Sequence, residues 1–412
     1  MRKLPEGWEW RRLGDSDVCE INPPKSEISQ LPPTTEISFI PMSSISEQGT
    51  IINSECRIIS EVIKGYTYFK NNDVIFAKIT PCMENGKTAI AKNLRNGIGF
   101  GSTEFHVIRP KKLILADWIH YFIRQDVIRK EAKKSFTGTA GQQRVPASFL
   151  NDLKIPLPPL PVQKRIVAIL DKADAARRLP DQADKLLDEL LRSAFLEMFG
   201  DPVRNEKGWE LIRLEDVLSN IPGALQSGPF GTHLHSSDFI ENGEVLAVGI
   251  DNIQESGFTL GKNRRISREK YQELSKFQLY PDDVLVSIMG TVGRVCVFPK
   301  FNFQSICTKH VYRINLNKKK ILPIILVSNM KYSNNISGQL KRSIKGQIVD
   351  AITSKDLLKL KFPLPPFPLQ QKFASIVQQT EKLREQFAQS KKEADDLFEA
   401  LMQKAFTGEL VA

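Results

Sequence analysis

The stretch from Pro156 to Leu170 reads PLPPLPVQKRIVAIL, and the stretch from Pro363 to Val377 reads PLPPFPLQQKFASIV. The two stretches place Gln163 and Gln370 in register, and 370 − 163 = 207 residues separate them. A proline-rich run holds the chain extended, and proline is favoured at the first position of a helix but not in its interior. Each stretch therefore predicts an extended lead-in that ends where a helix begins.

The repetition extends along the whole chain of 412 residues. Gly7-Trp8-Glu9 returns as Gly208-Trp209-Glu210, and the stretch 72–76 returns as 282–286. One hydrophobic core does not fill a chain of this length, and short β-branched runs bounded by turn residues alternate with helical patterns. The sequence predicts a mixed α/β protein with an internal tandem repeat: α+β domains at 1–155 and 201–362, and helical segments at 156–200 and 363–412.

Apolar residues recur at alternating spacings of three and four along both helical segments. Heptads sustained over nearly forty residues predict a coiled coil about 57 Å long; the alternative is two amphipathic helices, each packed on its own domain. The offset between the repeats rises from 207 to 211 here, which indicates a four-residue insertion, and Pro180 predicts a kink or a break. The predicted seam residues are Val162, Ile166, Ile169, Ala173, Leu187, Leu190, Leu369, Phe373, Ile376, Leu383, Phe387, Leu397 and Leu401.

The formal net charge of +11 lies outside these helices. Residues 162–199 contain seven basic and seven acidic side chains, and residues 369–406 contain six of each. The globular parts therefore have the positive excess, which favours double-stranded DNA as a partner because lysine and arginine neutralise phosphates.

The five cysteines are widely spaced and form no CxxC pair, which argues against a disulfide framework and against a zinc ribbon. The longest apolar run is far too short to span a membrane, and the first ten residues contain no apolar signal segment. We therefore expect a cytoplasmic protein with no membrane partner.

Motifs for catalysis are weak. Asn22-Pro23-Pro24-Lys25 has lysine where amino-group methyltransferases have an aromatic residue, and the glycine-rich stretch 97–101 leads into a predicted strand rather than a helix. The sequence contains no P-loop motif, and His233 with His235 lacks neighbouring ligands for a metal. We predict no catalytic residues, no metal and no cofactor, and keep open a self-sufficient methyltransferase or nuclease and a coiled-coil scaffold that binds DNA without sequence preference.

Polar and basic residues gather in the predicted loops between strands. Arginine and lysine suit guanine edges and phosphates, whereas glutamine and asparagine suit adenine. The candidate DNA contacts are Lys78, Thr80, Asn85, Lys87, Ser102, Thr103, Gln142, Gln143, Arg144, Phe230, Thr232, His233, Arg264, Arg265, Ser287, Thr291, Arg294, Lys309, Lys345 and Gln347.

The chain resembles, end to end, the specificity (S) subunit of Type I restriction-modification enzymes. The resemblance rests on the two PLPP(L/F)PxQ lead-ins, the two GWE starts, the stretches 73–87 and 283–293, and Gly228-Pro229-Phe230-Gly231. It implies two target-recognition domains, each reading half of a bipartite asymmetric DNA site, and two long helices packed antiparallel in a pseudo-two-fold arrangement. It further implies a non-catalytic subunit whose helices dock two modification (methyltransferase) subunits, with restriction subunits joining the full complex.

Overall fold

The computed structural model describes residues 4–139, 141–230, 233–332, 339 and 352–410. The chain forms two compact units: unit 1 comprises Met1–Pro180 and Gln389–Ala412, and unit 2 comprises Asp181–Ala388. The border between the units falls inside both long helices, so each unit contains one globular part, the first half of one helix and the second half of the other. The division at 155, 200 and 362, which separates whole helices from globular parts, stays a prediction.

Unit 1 is built on two four-stranded sheets, one antiparallel and one mixed. Strands β2, β9, β6 and β7 form one sheet in that order, strands β4, β3, β8 and β5 form the other, and β1 pairs with β10. Its strands are β1 Glu9–Arg12, β2 Cys19–Ile21, β3 Glu36–Ile40, β4 Glu55–Ile58, β5 Thr67–Lys70, β6 Val74–Ala77, β7 Thr88–Ile90, β8 Ile98–Gly101, β9 Phe105–Pro110 and β10 Lys154–Leu157.

Unit 2 repeats the first of these sheets. Strands β12, β20, β17 and β18 follow the same chain topology as β2, β9, β6 and β7, and the parallel pair β13 and β19 repeats β3 and β8. Its strands are β11 Glu210–Arg213, β12 Leu225–Ser227, β13 Val245–Val248, β14 Ile253–Gln254, β15 Gly257–Phe258, β16 Arg265–Ile266, β17 Val284–Ser287, β18 Val295–Val297, β19 Ser305–Cys307, β20 Val311–Ile314 and β21 Lys361–Leu364.

The α-helices of the described residues cover the sheets or leave the globular parts. They are Ile59–Val62, Ala116–Arg124, Asp126–Lys134, Ala147–Asp152, Leu160–Phe199, Arg268–Glu273, Pro323–Tyr332, Ser354–Leu358 and Phe367–Thr407. We call Leu160–Phe199 the central helix and Phe367–Thr407 the C-terminal helix. Among these helices, none is both long and apolar enough to cross a membrane.

The two parts of each sequence repeat meet as paired strands. Glu9 lies opposite Leu157, and Glu210 lies opposite Leu364, so each GWE start pairs antiparallel with the beginning of its PLPP stretch. The sequence indicated only an extended lead-in. Pairing was not visible in either stretch alone because strands of four residues have little periodicity of their own.

One predicted helix is corrected. The apolar pattern from Asp117 to Lys134 predicts a single helix, but the structure has two, separated at Gln125, whose ψ of 138° is extended. The amide of Gln125 donates to the carbonyl of Phe122 at 3.1 Å and satisfies a free carbonyl at the end of the first helix. The apolar face alone could not reveal this side-chain cap.

A buried glutamine fixes the start of each long helix. The side chain of Gln163 is fully buried: Oε1 accepts the N–H of Leu115 at 2.9 Å, and Nε2 donates to the carbonyls of Leu113 and Pro158, both at 2.8 Å. Its amide therefore joins the lead-in, the helix and the loop before the helix Ala116–Arg124.

Gln370 makes the same three bonds in unit 2. It accepts the N–H of Leu322 at 2.9 Å and donates to the carbonyls of Lys320 at 3.2 Å and Pro365 at 2.9 Å. Every partner is offset by 207 residues from its counterpart in unit 1, for example 322 − 115 = 207. The glutamine that is repeated in the two opening stretches therefore makes the same three hydrogen bonds in each unit.

Within each unit, the two helix segments pack against each other. In unit 1, the guanidinium of Arg177 lies 4.2 Å from the ring centre of Phe398. In unit 2, the ring of Phe373 packs against Phe195 at 5.6 Å and Phe199 at 5.3 Å between centroids. The alternative of two helices that each contact only their own domain is therefore wrong.

The central helix continues through Pro180 without a break.

The buried stripe of these helices is displaced from part of the predicted seam. Leu190, Leu383 and Leu397 are 52, 40 and 56% exposed, whereas Leu191 and Phe398 are buried. Spacing alone favours leucines over the polar residues that also occupy buried positions, among them the two glutamines. The other seam residues are buried or half-buried: Val162, Ile166, Ile169, Ala173, Leu187, Leu369, Phe373, Ile376, Phe387 and Leu401.

We predict that Gln163→Leu lowers the free energy of unfolding by about 2–4 kcal/mol, because one N–H and two carbonyls lose their partner. Urea denaturation of the full chain measures the change. The control is Gln182→Leu, at an exposed position of the same helix, which should change stability by less than about 0.5 kcal/mol. Equal losses in the two variants would contradict the role given to Gln163.

Candidate nucleic-acid interface

In unit 1, the loops at one end of the sheet containing β6 and β9 are joined by backbone hydrogen bonds. Lys78, which follows β6, donates its N–H to the carbonyl of Glu104 at 2.9 Å and accepts the N–H of Val145 at 2.9 Å. The N–H of Thr80 donates to the carbonyl of Gln143 at 3.0 Å. We call the surface formed by residues 78–80, 102–104 and 142–145 the unit 1 rim.

Unit 2 has the same construction. Ile288, which follows β17, donates its N–H to the carbonyl of His310 at 3.0 Å and accepts the N–H of Ile352 at 3.3 Å. These residues are offset from Lys78, Glu104 and Val145 by 210, 206 and 207 positions. We call the surface formed by residues 228–230, 287–294 and 308–310 the unit 2 rim.

A glycine allows the loops of the unit 2 rim to approach closely. A Cβ on Gly228 would lie 2.3 Å from the carbonyl oxygen of Cys307 and 2.3 Å from the carbonyl carbon of Thr308. Any side chain at this position would push apart the ends of β12 and β19.

The predicted site residues of unit 1 fall into two groups: those exposed in the rim and those that hydrogen-bond to neighbouring loops. Arg144 is bound by Glu104 through two contacts of 2.8 Å, and this bond holds the pKa of the Glu104 carboxyl below its usual range. Thr103 and Gln142 are exposed, and Lys78, Ser102 and Gln143 are half-buried. The rim therefore offers hydroxyl, amide and ammonium groups around an arginine that an internal carboxylate holds in place.

Asn85 and Lys87, outside the rim, and Thr80, within it, hydrogen-bond to neighbouring loops. Asn85 donates to Glu47 at 2.8 Å, Lys87 donates to the carbonyl of Met42 at 3.3 Å, and Thr80 donates to Glu84 at 2.5 Å. Asn85 is nevertheless exposed at the surface, so its position does not exclude a ligand contact.

In unit 2, five of the predicted residues lie in the rim: Phe230, Ser287, Thr291, Arg294 and Lys309. Arg294 donates to Gln254 at 3.2 Å, and its backbone N–H donates to Ser287 at 3.0 Å. The carbonyl of Thr291 accepts the hydroxyl of Ser287. Phe230 is 59% exposed, and Lys309, in another loop of the rim, is also exposed.

Arg265 lies on β16, the strand next to β13, and Arg264 immediately precedes it; both are outside the rim. Arg264 forms an ion pair with Asp251 at 2.8 Å, and the guanidinium of Arg265 lies 4.7 Å from the ring centre of Phe303. His233 is exposed in the loop after the rim glycines. The predicted contacts Thr232, Lys345 and Gln347 fall outside the described residues.

His106 is not among the candidate residues predicted from the sequence, yet its ring hydrogen-bonds to a residue of the unit 1 rim. Its ring is 6% exposed; Nε2 lies 2.8 Å from the carbonyl of Val145, and Nδ1 lies 3.1 Å from the amide nitrogen of Asn22. The carbonyl partner requires a proton on Nε2, and the amide suits an unprotonated Nδ1, so the ring is neutral. Burial lowers the pKa of His106.

Asp73 and Asp283, which precede β6 and β17, are buried and have internal partners. Asp73 accepts the N–H of Lys70 at 2.9 Å and binds Arg109 through two contacts, and Asp283 accepts the N–H of Tyr280 at 2.7 Å. In the described ranges, no three or more His, Cys, Asp or Glu side chains form a group suited to a metal ion. All five cysteines are free thiols.

We predict that His106→Gln removes a pH-dependent part of the stability. The folded pKa of His106 lies below the unfolded value of about 6.5, so below that pH the unfolded chain binds a proton that the folded chain does not. The contribution is therefore full above pH 6.5 and decreases below it, by at most about 1.4 kcal/mol per pH unit.

Melting temperatures of both proteins between pH 7.5 and pH 5.5 test this. Glutamine can still donate to the carbonyl of Val145 but does not titrate, so wild type should lose more stability than the variant as the pH falls. Parallel pH profiles of the two proteins would refute the assignment.

Comparison with known proteins places the repeat in a family. The family model described as "Type I restriction modification DNA specificity domain" matches residues 5–185 and 206–394. The specificity subunit of the type I restriction enzyme EcoAI from Escherichia coli is 44% identical over 167 residues, which are 40% of this chain. This match spans only 28% of the length of that relative. The MjaVIII specificity subunit from Methanocaldococcus jannaschii is 23% identical over 99% of this chain and 94% of its own.

Solved structures share the fold. A chain from a study of complex assembly and conformational transition of the type I R-M system has a TM-score of 0.60 and 24% identity, and the match covers 100% of both chains. The Type I restriction-modification S subunit from M. genitalium has a TM-score of 0.55 and 14% identity over 98% of both chains. The repeated sheet, the repeated glutamine tie and the match of both halves lead to one conclusion: the chain belongs to the family of Type I restriction-modification DNA specificity subunits.

Proposed function

We propose that this protein is the non-catalytic DNA-reading subunit of a Type I restriction-modification complex. Unit 1 binds one half of a bipartite, asymmetric site in double-stranded DNA, and unit 2 binds the other half. The observation that carries the proposal is the repeated rim: both units join the same loops at the same end of the same sheet by corresponding backbone bonds.

The chemistry of the two rims supports different targets for the two units. The backbone bonds are alike, but the unit 1 rim presents Lys78, Gln142 and Gln143, whereas the unit 2 rim presents Phe230 and Lys309. A shared framework with different side chains binds different base edges in the same geometry. We therefore assign the rim residues to base and phosphate contacts.

The helix segments support an antiparallel coiled coil. In unit 1, Arg177 lies 3.8 Å from Asp395. In unit 2, Arg384 lies 3.6 Å from Asp184. Arg384 is offset from Arg177 by 207, and Asp395 is offset from Asp184 by 211, so the two pairs are the same interaction made once in each unit. A pseudo-two-fold arrangement of the helices accounts for this exchange of roles.

Exposed leucines on the helices support a docking role for modification subunits. Leu186 and Leu190 are 63 and 52% exposed and lie one turn apart on the central helix. The counterpart of Leu186 in the other repeat is Leu397, at an offset of 211, and it is 56% exposed. One exposed leucine at the same position of each unit fits two copies of one partner, with the restriction subunits joining the full complex. The counterpart of Leu190 is Leu401, which is half-buried.

We predict that replacing residues 201–362 with the corresponding part of a relative changes one half of the recognised sequence and leaves the other half unchanged. Sequencing of methylated bases in DNA exposed to the reconstituted complex reads both halves at once. A recognised sequence that stays unchanged in both halves would contradict the assignment of one half-site to unit 2. Methylation or cleavage of DNA by the purified chain alone would contradict a non-catalytic subunit.

We predict that Leu186→Ser with Leu190→Ser weakens binding of the modification subunit by about 30-fold or more, since two apolar anchors lose contact area worth about 1–2 kcal/mol each. The exposed positions leave the fold of the free chain intact. Size-exclusion chromatography and calorimetric titration measure the complex, and Lys185→Ser, at the adjacent exposed position, is the control. Unchanged affinity of the double variant would exclude this face from the interface.

A further inference from the structure

Unit 2 contains a cavity of about 810 Å³ that is separate from its rim. The cavity lies near the start of β17, whereas the unit 2 rim begins where β17 ends. Its described lining residues include two cations and no carboxylate: Ile221, Pro222, Gly223, Gln226, Ser275, Lys276, Tyr280, Arg313 and Asn315. Amide, hydroxyl, ammonium and guanidinium donors thus surround the space.

Arg313 is the unusual member of this lining. Its side chain is 3% exposed, and its guanidinium donates to the carbonyl of Gln278 at 2.5 Å, to the carbonyl of Gly223, and to Oε1 of Gln226 at 3.3 Å. Its Nε atom is buried with no hydrogen-bond partner, and Arg313 forms no ion pair within 4.0 Å with any described residue. The Asp283 carboxylate is near enough for its charge to act on Arg313, but Asn315, not Arg313, binds it. A buried guanidinium without a carboxylate is costly, because carbonyl dipoles replace only part of the lost hydration.

The other repeat shows how a buried arginine on the same strand is neutralised. Arg109 on β9 is 5% exposed and binds two carboxylates: Asp73 at 2.9 and 2.8 Å, and Glu27 at 2.8 Å. In unit 2, the register of β17 with β20 places Asn315 opposite Asp283, and Asn315 donates to Asp283 at 2.6 Å. In unit 2, the amide of Asn315 therefore binds Asp283, the counterpart of the carboxylate that binds Arg109 in unit 1.

Arg313 lies on β20, two residues before Asn315, which directly follows the strand. Arg313 does not bind Asp283; its side chain lines the cavity. Gly223 allows this position, because a Cβ there would lie 2.4 Å from Oε1 of Gln226 and 3.2 Å from the guanidinium. The arginine is thus held by neutral oxygens at the wall of a space that contains a second cation, Lys276.

We infer that this cavity binds an oxyanion, a carboxylate or a phosphate, carried by a small organic molecule. Arg313 and Lys276 neutralise the anion, the amide of Gln226 adds a donor, and Ile221, Pro222 and the Tyr280 ring contact the organic part. The volume lies within the range of about 300–1,000 Å³ typical of small-molecule sites. The inference is independent of the DNA-reading function, since none of these residues belongs to either rim.

Calorimetric titration and thermal unfolding of the full chain test this site with two probes, inorganic phosphate and citrate. Chloride replaces the probe at equal ionic strength as the reference. At ten times the dissociation constant, the binding anion should raise the melting temperature of unit 2 by about 3–6 °C relative to chloride. No heat and no shift with both probes would overturn the inference.

Gln226→Glu supplies a built-in carboxylate beside Arg313, as Glu27 does for Arg109. This variant should melt at a higher temperature than wild type in chloride and should lose most of the shift produced by phosphate or citrate. Gln272→Glu adds the same charge at an exposed position of the same unit and should keep the full shift. Equal shifts in wild type and Gln226→Glu would overturn the inference.

Lys276→Ala is a second variant that tests anion binding. It leaves the core of the unit intact because Lys276 is exposed. It should weaken the binding of either anion about tenfold and leave the melting temperature in chloride unchanged.

A short DNA duplex tests whether the cavity binds DNA phosphates rather than a small molecule. Stabilisation by the duplex that Lys276→Ala abolishes, without any response to phosphate or citrate, would assign the cavity to DNA and overturn the small-molecule site.

Discussion

A single buried amide at the first turn of each long helix constrains the architecture of both units. Gln163 and Gln370 satisfy two carbonyls and one N–H that the proline-rich lead-in and the preceding loop cannot satisfy among themselves. A shorter side chain would not reach both loops, and a charged one would bind only donors or only acceptors. The direction in which each helix leaves its globular part follows from this tie.

The strands and helices could be predicted from the sequence where the two repeats have the same residue types at the same spacing. The strands β6, β7 and β9 and their counterparts β17, β18 and β20 were predicted from short β-branched runs, and both long helices from their apolar periodicity. It failed where polar side chains are buried. Gln163 and Asp174 occupy inward positions because each has internal partners, so a stripe chosen by hydrophobicity lies beside the real one.

The candidate site was predictable as a set of loops but not as a set of contacts. Lys78, Gln143 and Arg144 were chosen from composition, and the structure brings them together on one rim. Composition could not reveal that Glu104 holds Arg144, or that His106 lies beneath the rim, because those partners come from other strands. The dipeptide His-Val, repeated at 106–107 and 310–311, was a further signal in the sequence for the strand that supports each rim.

The exchange of helix halves also sets the order in which the protein can be completed during synthesis. All residues of unit 2 lie between 181 and 388, so every partner in its core has been made once residue 388 has left the ribosome. Unit 1 packs Ile166 and Leu170 in one core with Phe398, Met402 and Phe406, more than two hundred residues later in the chain. Until those residues emerge, the apolar face of the nascent helix in unit 1 remains open to water and to chaperones, although translation of that unit began first.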